Sequence, residues 1–312
     1  MAIHHTSCLG GGTIGASWAA LFLASGRTVC LFDPAPDARD NVRRYIETAW
    51  PTLESLGLAE HGNPDGITFA KTAAQAVDGA DFVQENVPER LAIKSATFAE
   101  IEPVLKQGAI VASSASGLTL SQMQDGWHDP SPFILGHPFN PPHLIPLVEV
   151  LGNARTGPDV VARARAFYDA IGKVTIELHK EKNGHVANRL QAAIWREAIS
   201  LVSEGVASVE DVDKAVWAGP GLRWATMGPS MLFHLGAGQG GLPAFFDHFA
   251  ETFNGWWDDL GQPYLDEEVI QQICQGVADE ANGRSVKALS AERDALLTAI
   301  QKATKTLRDA KK

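Results

Sequence analysis

The first thirty-three residues constrain the fold more than any other part of the sequence. A short apolar run ends at Leu9, a glycine-rich turn occupies residues 10–15, and apolar residues then recur at helical spacing. A second apolar run covers residues 28–32 and stops at Asp33. A strand, a helix and a second strand within about thirty residues form the usual β-α-β unit. The chain is therefore predicted to start with a parallel sheet covered by helices.

The turn in this unit fits the GxGxxG pattern of dinucleotide-binding proteins. Its glycines permit a tight turn and close approach of a pyrophosphate, and the amides at the start of the next helix face the phosphates. The cofactor-binding residues predicted from this pattern are Gly10, Gly12, Thr13, Ile14 and Gly15. Asp33 should accept hydrogen bonds from the adenosine ribose, and its charge would repel a 2′-phosphate. The segment therefore predicts NAD, rather than NADP, as the cofactor.

The charge and the cysteine content exclude several classes of protein. A net charge of −11 and the lack of a basic run oppose binding to nucleic acid. We find neither an apolar run long enough for a membrane nor a signal peptide, so the chain is predicted to be cytoplasmic, without a membrane partner. The three cysteines and ten histidines show no metal-ligand spacing. We therefore expect neither a disulfide framework nor a metal site.

The pattern of apolar residues predicts two domains. Short apolar runs alternate with helical stretches up to about residue 180, and long helical patterns with almost no strand candidates follow. Residues 1–186 are predicted to form an α/β Rossmann-type NAD-binding domain. Residues 187–312 are predicted to form an all-α domain.

A histidine and a glutamate form a candidate acid–base pair. His137 follows an apolar run, and Glu149 lies inside the next one, where an acid needs a polar partner. Their separation allows a strand, a loop and a returning strand to bring the two side chains together. Histidine suits the base that oxidation of a secondary alcohol requires, because its pKa lies near neutrality. The alternatives are a buried histidine with an unrelated acid, or a different base among His143, His185 and His234.

Five segments resemble the 3-hydroxyacyl-CoA dehydrogenase family: residues 10–15, 84–89, 113–117, 137–141 and 188–190. The resemblance covers nearly the whole chain. Residues 221–224 and 227–229 are similar to the branch of the family that acts on small free hydroxy acids. The resemblance implies NAD-dependent interconversion of a 3-hydroxy and a 3-keto acid. It also implies a Rossmann domain followed by a helical domain for substrate binding and dimerisation, and hence a homodimer.

The resemblance assigns His137 and Glu149 as the catalytic pair. Glu149 would fix the imidazole tautomer of His137 and stabilise the imidazolium as it forms. Ser116 matches a hydroxyl that bonds the substrate in the family, although serine also forms turns. Asn188 matches an amide that would donate to the substrate oxygen, although asparagine is also a common helix N-cap.

Two further residues are placed near the cofactor by the resemblance alone. Glu89 and Lys94, five residues apart, match contacts near the nicotinamide half of NAD in the family. They follow a predicted strand end, where ligands gather in open α/β sheets. A surface ion pair on a helix is the alternative for both.

Arg223 is the predicted substrate-binding residue. It lies in a mainly apolar stretch, where a guanidinium needs a partner, and its planar fork suits a carboxylate. The free-acid branch has a similar arginine, which implies that Arg223 recognises the substrate carboxylate. The alternative is an internal salt bridge to an acid such as Glu197 or Glu204. The tryptophans Trp195, Trp217 and Trp224 have two explanations. They could form an aromatic cage for a quaternary ammonium such as carnitine, or they could be ordinary packing residues.

Three other functions fit parts of the pattern. A CoA thioester enzyme would favour lysines for the CoA phosphates, whereas residues 33–60 hold six acids, three arginines and no lysine. The β-hydroxyacid dehydrogenases use a lysine four residues before the asparagine, where this chain has Gly184. A crystallin-like structural NAD-binding protein would not need the intact set of candidate catalytic residues. The sequence favours a dehydrogenase of a small free 3-hydroxy acid, and gulonate, carnitine and hydroxybutyrate remain open as substrates.

Overall fold

A computed structural model describes residues 3–309 of the chain. Its single sheet has eight strands in the order β3-β2-β1-β4-β5-β6-β7-β8. All neighbouring strands are parallel except β6 and β7, which are antiparallel. The strands are β1 His5–Leu9, β2 Thr28–Phe32, β3 Ile67–Phe69, β4 Phe82–Glu85, β5 Ile110–Ser113, β6 Phe133–Pro138, β7 Leu147–Leu151 and β8 Val174–Leu178.

Helices α1 to α6 lie between these strands, and helices α7 to α13 follow them. The first group is α1 Thr13–Ala24, α2 Ala38–Ser55, α3 Ala73–Val77, α4 Leu91–Ile101, α5 Leu120–Gln124 and α6 Val160–Ala170. The second group is α7 Ala187–Ser203, α8 Val209–Ala218, α9 Pro220–Trp224, α10 Pro229–Gly236, α11 Gly241–Asp259, α12 Glu267–Ala281 and α13 Val286–Asp309. The predicted class, a Rossmann-type α/β domain followed by helices, is confirmed.

Both faces of the sheet carry an apolar core. Phe82 and Val83 are neighbours in β4 but belong to different cores, because successive side chains of a strand point to opposite faces. Trp18 of α1 and Tyr168 of α6 pack on one face, with ring centroids 5.4 Å apart. Phe98 of α4 packs on the other face. Burial on both faces explains why these strands appear in the sequence as continuous apolar runs rather than alternating ones.

The chain divides into two compact units. The first runs to Arg189 and includes Leu297–Lys302, and the second contains Leu190–Leu296. The predicted boundary after residue 186 stays a prediction. Many large apolar side chains of the second unit are exposed in the single chain, including Trp195, Trp217, Met231, Phe246, Trp256 and Trp257. Within residues 3–309, no helix combines the length and apolar character that crossing a bilayer requires.

Candidate active site

The glycine turn is built for close contact with a ligand. Gly10 has a φ of +91°, and a Cβ there would lie 2.7 Å from the carbonyl oxygen of Asn86. A Cβ on Gly15 would lie only 1.9 Å from the carbonyl oxygen of Gly10, so both positions require glycine. A Cβ on Gly12 would meet no atom within 4 Å. Gly12 also caps α1 without a side chain, which leaves the first amides of the helix, including those of Thr13 and Ile14, available to a phosphate.

Asp33 lies beside this turn at the end of β2. Its Oδ2 accepts a hydrogen bond from the Gly11 amide at 2.7 Å, and its Oδ1 accepts one from the Ala35 amide at 2.8 Å. Arg39, the nearest cation in the sequence, places its guanidinium 5.5 Å from the centre of the Phe69 ring. Among residues 3–309 no salt bridge to Asp33 is found, so the ribose hydroxyls of NAD could donate to this carboxylate, whereas a 2′-phosphate would be repelled. The residues present fit NAD.

The antiparallel pairing of β6 and β7 brings His137 and Glu149 together. The two residues are direct partners in the strand register, and His137 Nδ1 lies 2.8 Å from Glu149 Oε2. Both side chains are buried. Because a carboxylate only accepts, Nδ1 carries the hydrogen and Nε2 of the neutral ring carries a lone pair. The structure therefore brings the predicted pair into contact, and Nε2 of His137 faces away from Glu149 with its lone pair.

The second carboxylate oxygen of Glu149 binds the start of α7. Oε1 accepts hydrogen bonds from the amides of Val186 and Ala187 at 2.9 and 3.0 Å. Burial opposes the charge on Glu149, but the hydrogen bonds from His137 and from these two amides outweigh it and lower the pKa of the carboxyl group. Glu149 therefore remains an anion that can stabilise a positive charge on His137.

Ser116 and Asn188 are the other two candidate catalytic residues. Ser116 follows β5, and its Oγ lies 2.9 Å from His137 Nε2, to which the hydroxyl donates in the neutral tautomer. Asn188 is the second residue of α7 and is half-buried. Its side chain makes no hydrogen bond with any residue between 3 and 309, so its amide is free to donate.

Glu89 and Lys94 lie apart from each other. Glu89 Oε1 accepts hydrogen bonds from the amides of Gly117 and Leu118, which anchors the loop that carries Ser116. Lys94 is buried in α4, and its Nζ lies 2.7 and 2.8 Å from the two carboxylate oxygens of Glu85. Glu89 and Lys94 therefore do not form the surface ion pair that was the alternative for them.

The buried Glu85 was not recognised from the sequence. It ends β4 and also accepts hydrogen bonds from the Ser113 hydroxyl at 2.6 Å and the Val87 amide at 2.7 Å. An acid at the end of an apolar run was the available signal. Its contacts fix the carboxyl ends of β4 and β5, where ligands bind in sheets of this type.

The loop of residues 139–146 connects the strands that carry His137 and Glu149, and side chains from outside the loop hold it in place. Lys173 Nζ donates to the carbonyl oxygens of Pro142 at 2.5 Å and Ile145 at 2.7 Å, and it lies 5.1 Å from the centre of the Trp18 ring. His143 Nδ1 lies 2.9 Å from Ser17 Oγ in α1. The side chain of His143 is therefore directed toward α1, which argues against His143 as a base beside Glu149.

Arg223, the predicted substrate residue, lies in α9 of the second unit and is exposed. Among the described residues Arg223 forms no salt bridge. The two acids considered as its partners bind elsewhere: Glu197 binds the Gly261 amide, and Glu204 binds the Ser200 hydroxyl. The guanidinium is therefore available to a ligand. His234 accepts the Leu242 amide in the same unit. Across residues 3–309, no three His, Cys, Asp or Glu side chains come close enough to hold a metal ion.

Comparisons with known proteins show which proteins this chain is similar to. The profile of the 3-hydroxyacyl-CoA dehydrogenase NAD-binding domain matches residues 5–182, and that of the C-terminal domain of the same enzymes matches residues 184–278. An L-carnitine dehydrogenase from Streptomyces coelicolor is 45% identical over 97% of this chain and 95% of its own length. A second, from Pseudomonas putida, is 39% identical over 96% and 94%.

Two solved structures are similar along most of the chain. One is 5-formyl-3-hydroxy-2-methylpyridine 4-carboxylic acid 5-dehydrogenase, described as an NAD-dependent dismutase, with a TM-score of 0.83 and 30% identity over 97% of this chain and 99% of that one. The other is a diketoreductase, with a TM-score of 0.65 and 27% identity over 80% and 93%.

Proposed function

This chain is an NAD-dependent dehydrogenase that belongs to the 3-hydroxyacyl-CoA dehydrogenase family, and we propose that its substrate is L-carnitine, a small free 3-hydroxy acid. The hydrogen-bonded series from Ser116 through His137 to Glu149 carries the proposed chemistry. The substrate is suggested by the relatives named L-carnitine dehydrogenase, which match nearly the full length of the chain.

The residues of the first unit would act in a definite order. Ser116 and Asn188 would orient the substrate oxygen, and His137 Nε2 would take the hydroxyl proton as general base. Glu149 would stabilise the imidazolium that results, since its carboxylate contacts the opposite ring nitrogen at 2.8 Å. NAD, when bound, supplies the acceptor for the hydride that leaves the carbinol carbon. Gly10, Gly12, Thr13, Ile14, Gly15 and Asp33 would hold it, with Glu89 and Lys94 nearer to the nicotinamide end.

Recognition of a free acid would depend on the second unit. We assign the substrate carboxylate to Arg223, whose exposed guanidinium has no acidic partner among the described residues. Trp195 and Trp217 are 56% and 65% exposed, so they are available to a quaternary ammonium or to another chain. Residues 33–60, which hold six acids, three arginines and no lysine, oppose the alternative of a CoA thioester substrate.

We also propose that the enzyme is a cytoplasmic homodimer. Many aromatic and aliphatic side chains of the second unit are exposed in the single chain, and a second copy of the chain would cover them. The three cysteines are free, which suits a reducing compartment. Light scattering on the eluted protein should give about twice the 33.4 kDa chain mass; a monomer at micromolar concentration would refute the dimer.

A panel of substrates tests the proposed function. NADH formation is followed with L-carnitine, D-carnitine, L-gulonate, 3-hydroxybutyrate and 3-hydroxybutyryl-CoA, and the His137→Ala variant serves as the blank for contaminating activity. We expect the highest kcat/KM with L-carnitine. A higher value with the CoA thioester would return the protein to the acyl-CoA branch of the family. Absence of turnover with every compound would favour the crystallin-like alternative.

A further inference from the structure

His185 is an unusual residue beside the proposed base. It lies in the segment between β8 and α7 and is 4% exposed. Its ring packs on that of His137, with centroids 4.8 Å apart and planes inclined by 56°. Its backbone φ of +50° lies in the left-handed region, which residues with a Cβ seldom adopt. A strained backbone therefore presents this side chain to the catalytic pair.

The hydrogen bonding of His185 fixes its tautomer. Nε2 lies 3.1 Å from the carbonyl oxygen of Ala115. A carbonyl can only accept, so Nε2 carries the hydrogen and Nδ1 of the neutral ring carries a lone pair. Nδ1 is buried and has no hydrogen-bond partner among residues 3–309. Buried polar atoms are nearly always paired in native proteins, so this lone pair points to a ligand.

Simple packing does not account for this choice of residue. A phenylalanine would fill the space beside His137 without an orphaned nitrogen, and a glycine or asparagine would accept the positive φ more readily. Strained backbone and unpaired buried groups concentrate at functional sites, where the surrounding structure holds them in place. Both features occur here in one residue that contacts the proposed base.

We propose that His185 is a positioning residue of the active site, a neutral imidazole that holds the ring of His137 and accepts through Nδ1 a hydrogen bond from an O–H group in the site. The O–H group belongs to a water molecule, because the single hydroxyl hydrogen of L-carnitine is the one that His137 Nε2 removes. This inference rests on His137 being the base, as proposed above. A proton on Nδ1 would remove the acceptor and place a second positive charge beside the imidazolium of His137.

The surroundings of His185 favour its neutral form. Burial is the largest influence and lowers the pKa of its ring, and the neighbouring His137 lowers it further. The hydrogen bond to Ala115 and the charges of Glu149 and Glu89 act in the opposite direction but are outweighed. His185 therefore stays neutral at physiological pH and becomes charged only under more acidic conditions.

The pH profile of alcohol oxidation tests the inference. We would measure kcat/KM between pH 5 and 8 for the wild type, His185→Asn and His185→Phe. A proton on Nδ1 removes the acceptor, so at the acid end of this range kcat/KM of the wild type should fall more steeply than that of either variant, in which residue 185 carries no imidazole.

The two variants separate the contribution of the Nδ1 acceptor from that of ring packing against His137. The amide oxygen of asparagine replaces the Nδ1 acceptor and this residue tolerates the positive φ, so His185→Asn should be at least about tenfold more active at pH 7.5 than His185→Phe. Because the donor is a water molecule, His185→Phe should lower kcat and leave KM for L-carnitine unchanged. The inhibition constant of trimethylaminobutyrate, which is L-carnitine without its hydroxyl, should also stay the same.

Equal activity in the two variants at pH 7.5, or a KM for L-carnitine that rises in His185→Phe while kcat stays, would overturn the inference. Should His185→Phe fail to fold, His185→Leu, which also lacks an acceptor, takes its place in the comparison with His185→Asn. The exposed Lys180→Met variant is the control and should keep the wild-type profile. Wild-type activity in His137→Ala would instead refute the proposed base, so the two failures can be distinguished.

Discussion

Replacing Lys173 with methionine should change how the stability of the enzyme depends on pH. Lys173 is buried without an acidic partner among the described residues, and it donates to two carbonyl groups of the loop between β6 and β7. Burial lowers the pKa of its ammonium group from 10.5 to about 7. Since the unfolded chain keeps the ordinary value, it binds more protons than the native state between these two pH values.

The sign and the size of the effect follow from this difference. Stability must rise with pH wherever the unfolded state binds more protons, here between about pH 7 and 10.5. The full displacement corresponds to roughly 5 kcal/mol, of which about 3 kcal/mol is recovered between pH 7 and 9.5. Methionine fills a similar volume and does not titrate. The variant should therefore lack this gain, whatever its stability at pH 7.

Urea unfolding at pH 7 and 9.5, followed by tryptophan fluorescence, measures the gain. The comparison is the change in unfolding free energy between the two pH values, taken for the wild type, Lys173→Met and the exposed Lys180→Met control. We expect the wild type and the control to gain about 3 kcal/mol more than Lys173→Met. The same pH dependence in all three proteins would refute the reasoning and show that Lys173 titrates as if exposed.

Four further outcomes are expected. The fixed Asp33 carboxylate should make kcat/KM with NAD at least about tenfold higher than with NADP, and equal values would contradict its role. His137→Ala should lower kcat about 100-fold or more with normal NADH binding, and Glu149→Gln should also slow turnover; a near wild-type rate for His137→Ala would mean that another base acts. Lys94→Met should destabilise the fold by about 3–5 kcal/mol, because Glu85 stays buried without its partner, and the double variant Glu85→Gln/Lys94→Met should recover part of this loss in urea melts. Arg223→Met should raise KM for the hydroxy acid about ten- to a hundredfold and leave affinity for NAD unchanged; an unaltered KM would defeat the carboxylate assignment.

The fold could be predicted because its signals are local. The glycine turn, the apolar strands and the change to helical patterns near residue 180 each depend on neighbouring residues. The strand β3, Ile67–Phe69, was missed, since three residues are too few to show a pattern. The contact between His137 and Glu149 was also accessible from the sequence, because both residues lie on strands joined by one short loop.

Contacts between distant segments could not be predicted in this way. His143 is closer to Glu149 in sequence than His137 is, but the loop directs it to Ser17, which lies 126 residues earlier. Lys94 was assigned by resemblance, and no spacing rule shows that Glu85 on the preceding strand holds it. Lys173 gave no signal at all, because its burial depends on how the loop of residues 139–146 folds over it.

The dual contacts of Glu149 have a consequence for the construction of chimeric enzymes. One oxygen holds His137, the proposed base, and the other holds the amides of Val186 and Ala187 at the positive end of α7. If a chimera is fused between the two family profiles, near residue 183, residues 186 and 187 come from the other parent, and so do the amides that bind Glu149. A fusion point after Arg189 would exchange the following helices and keep the hydrogen bonds between Glu149 and these two amides. Exchange of substrate preference between relatives should therefore succeed more often with the fusion point after Arg189.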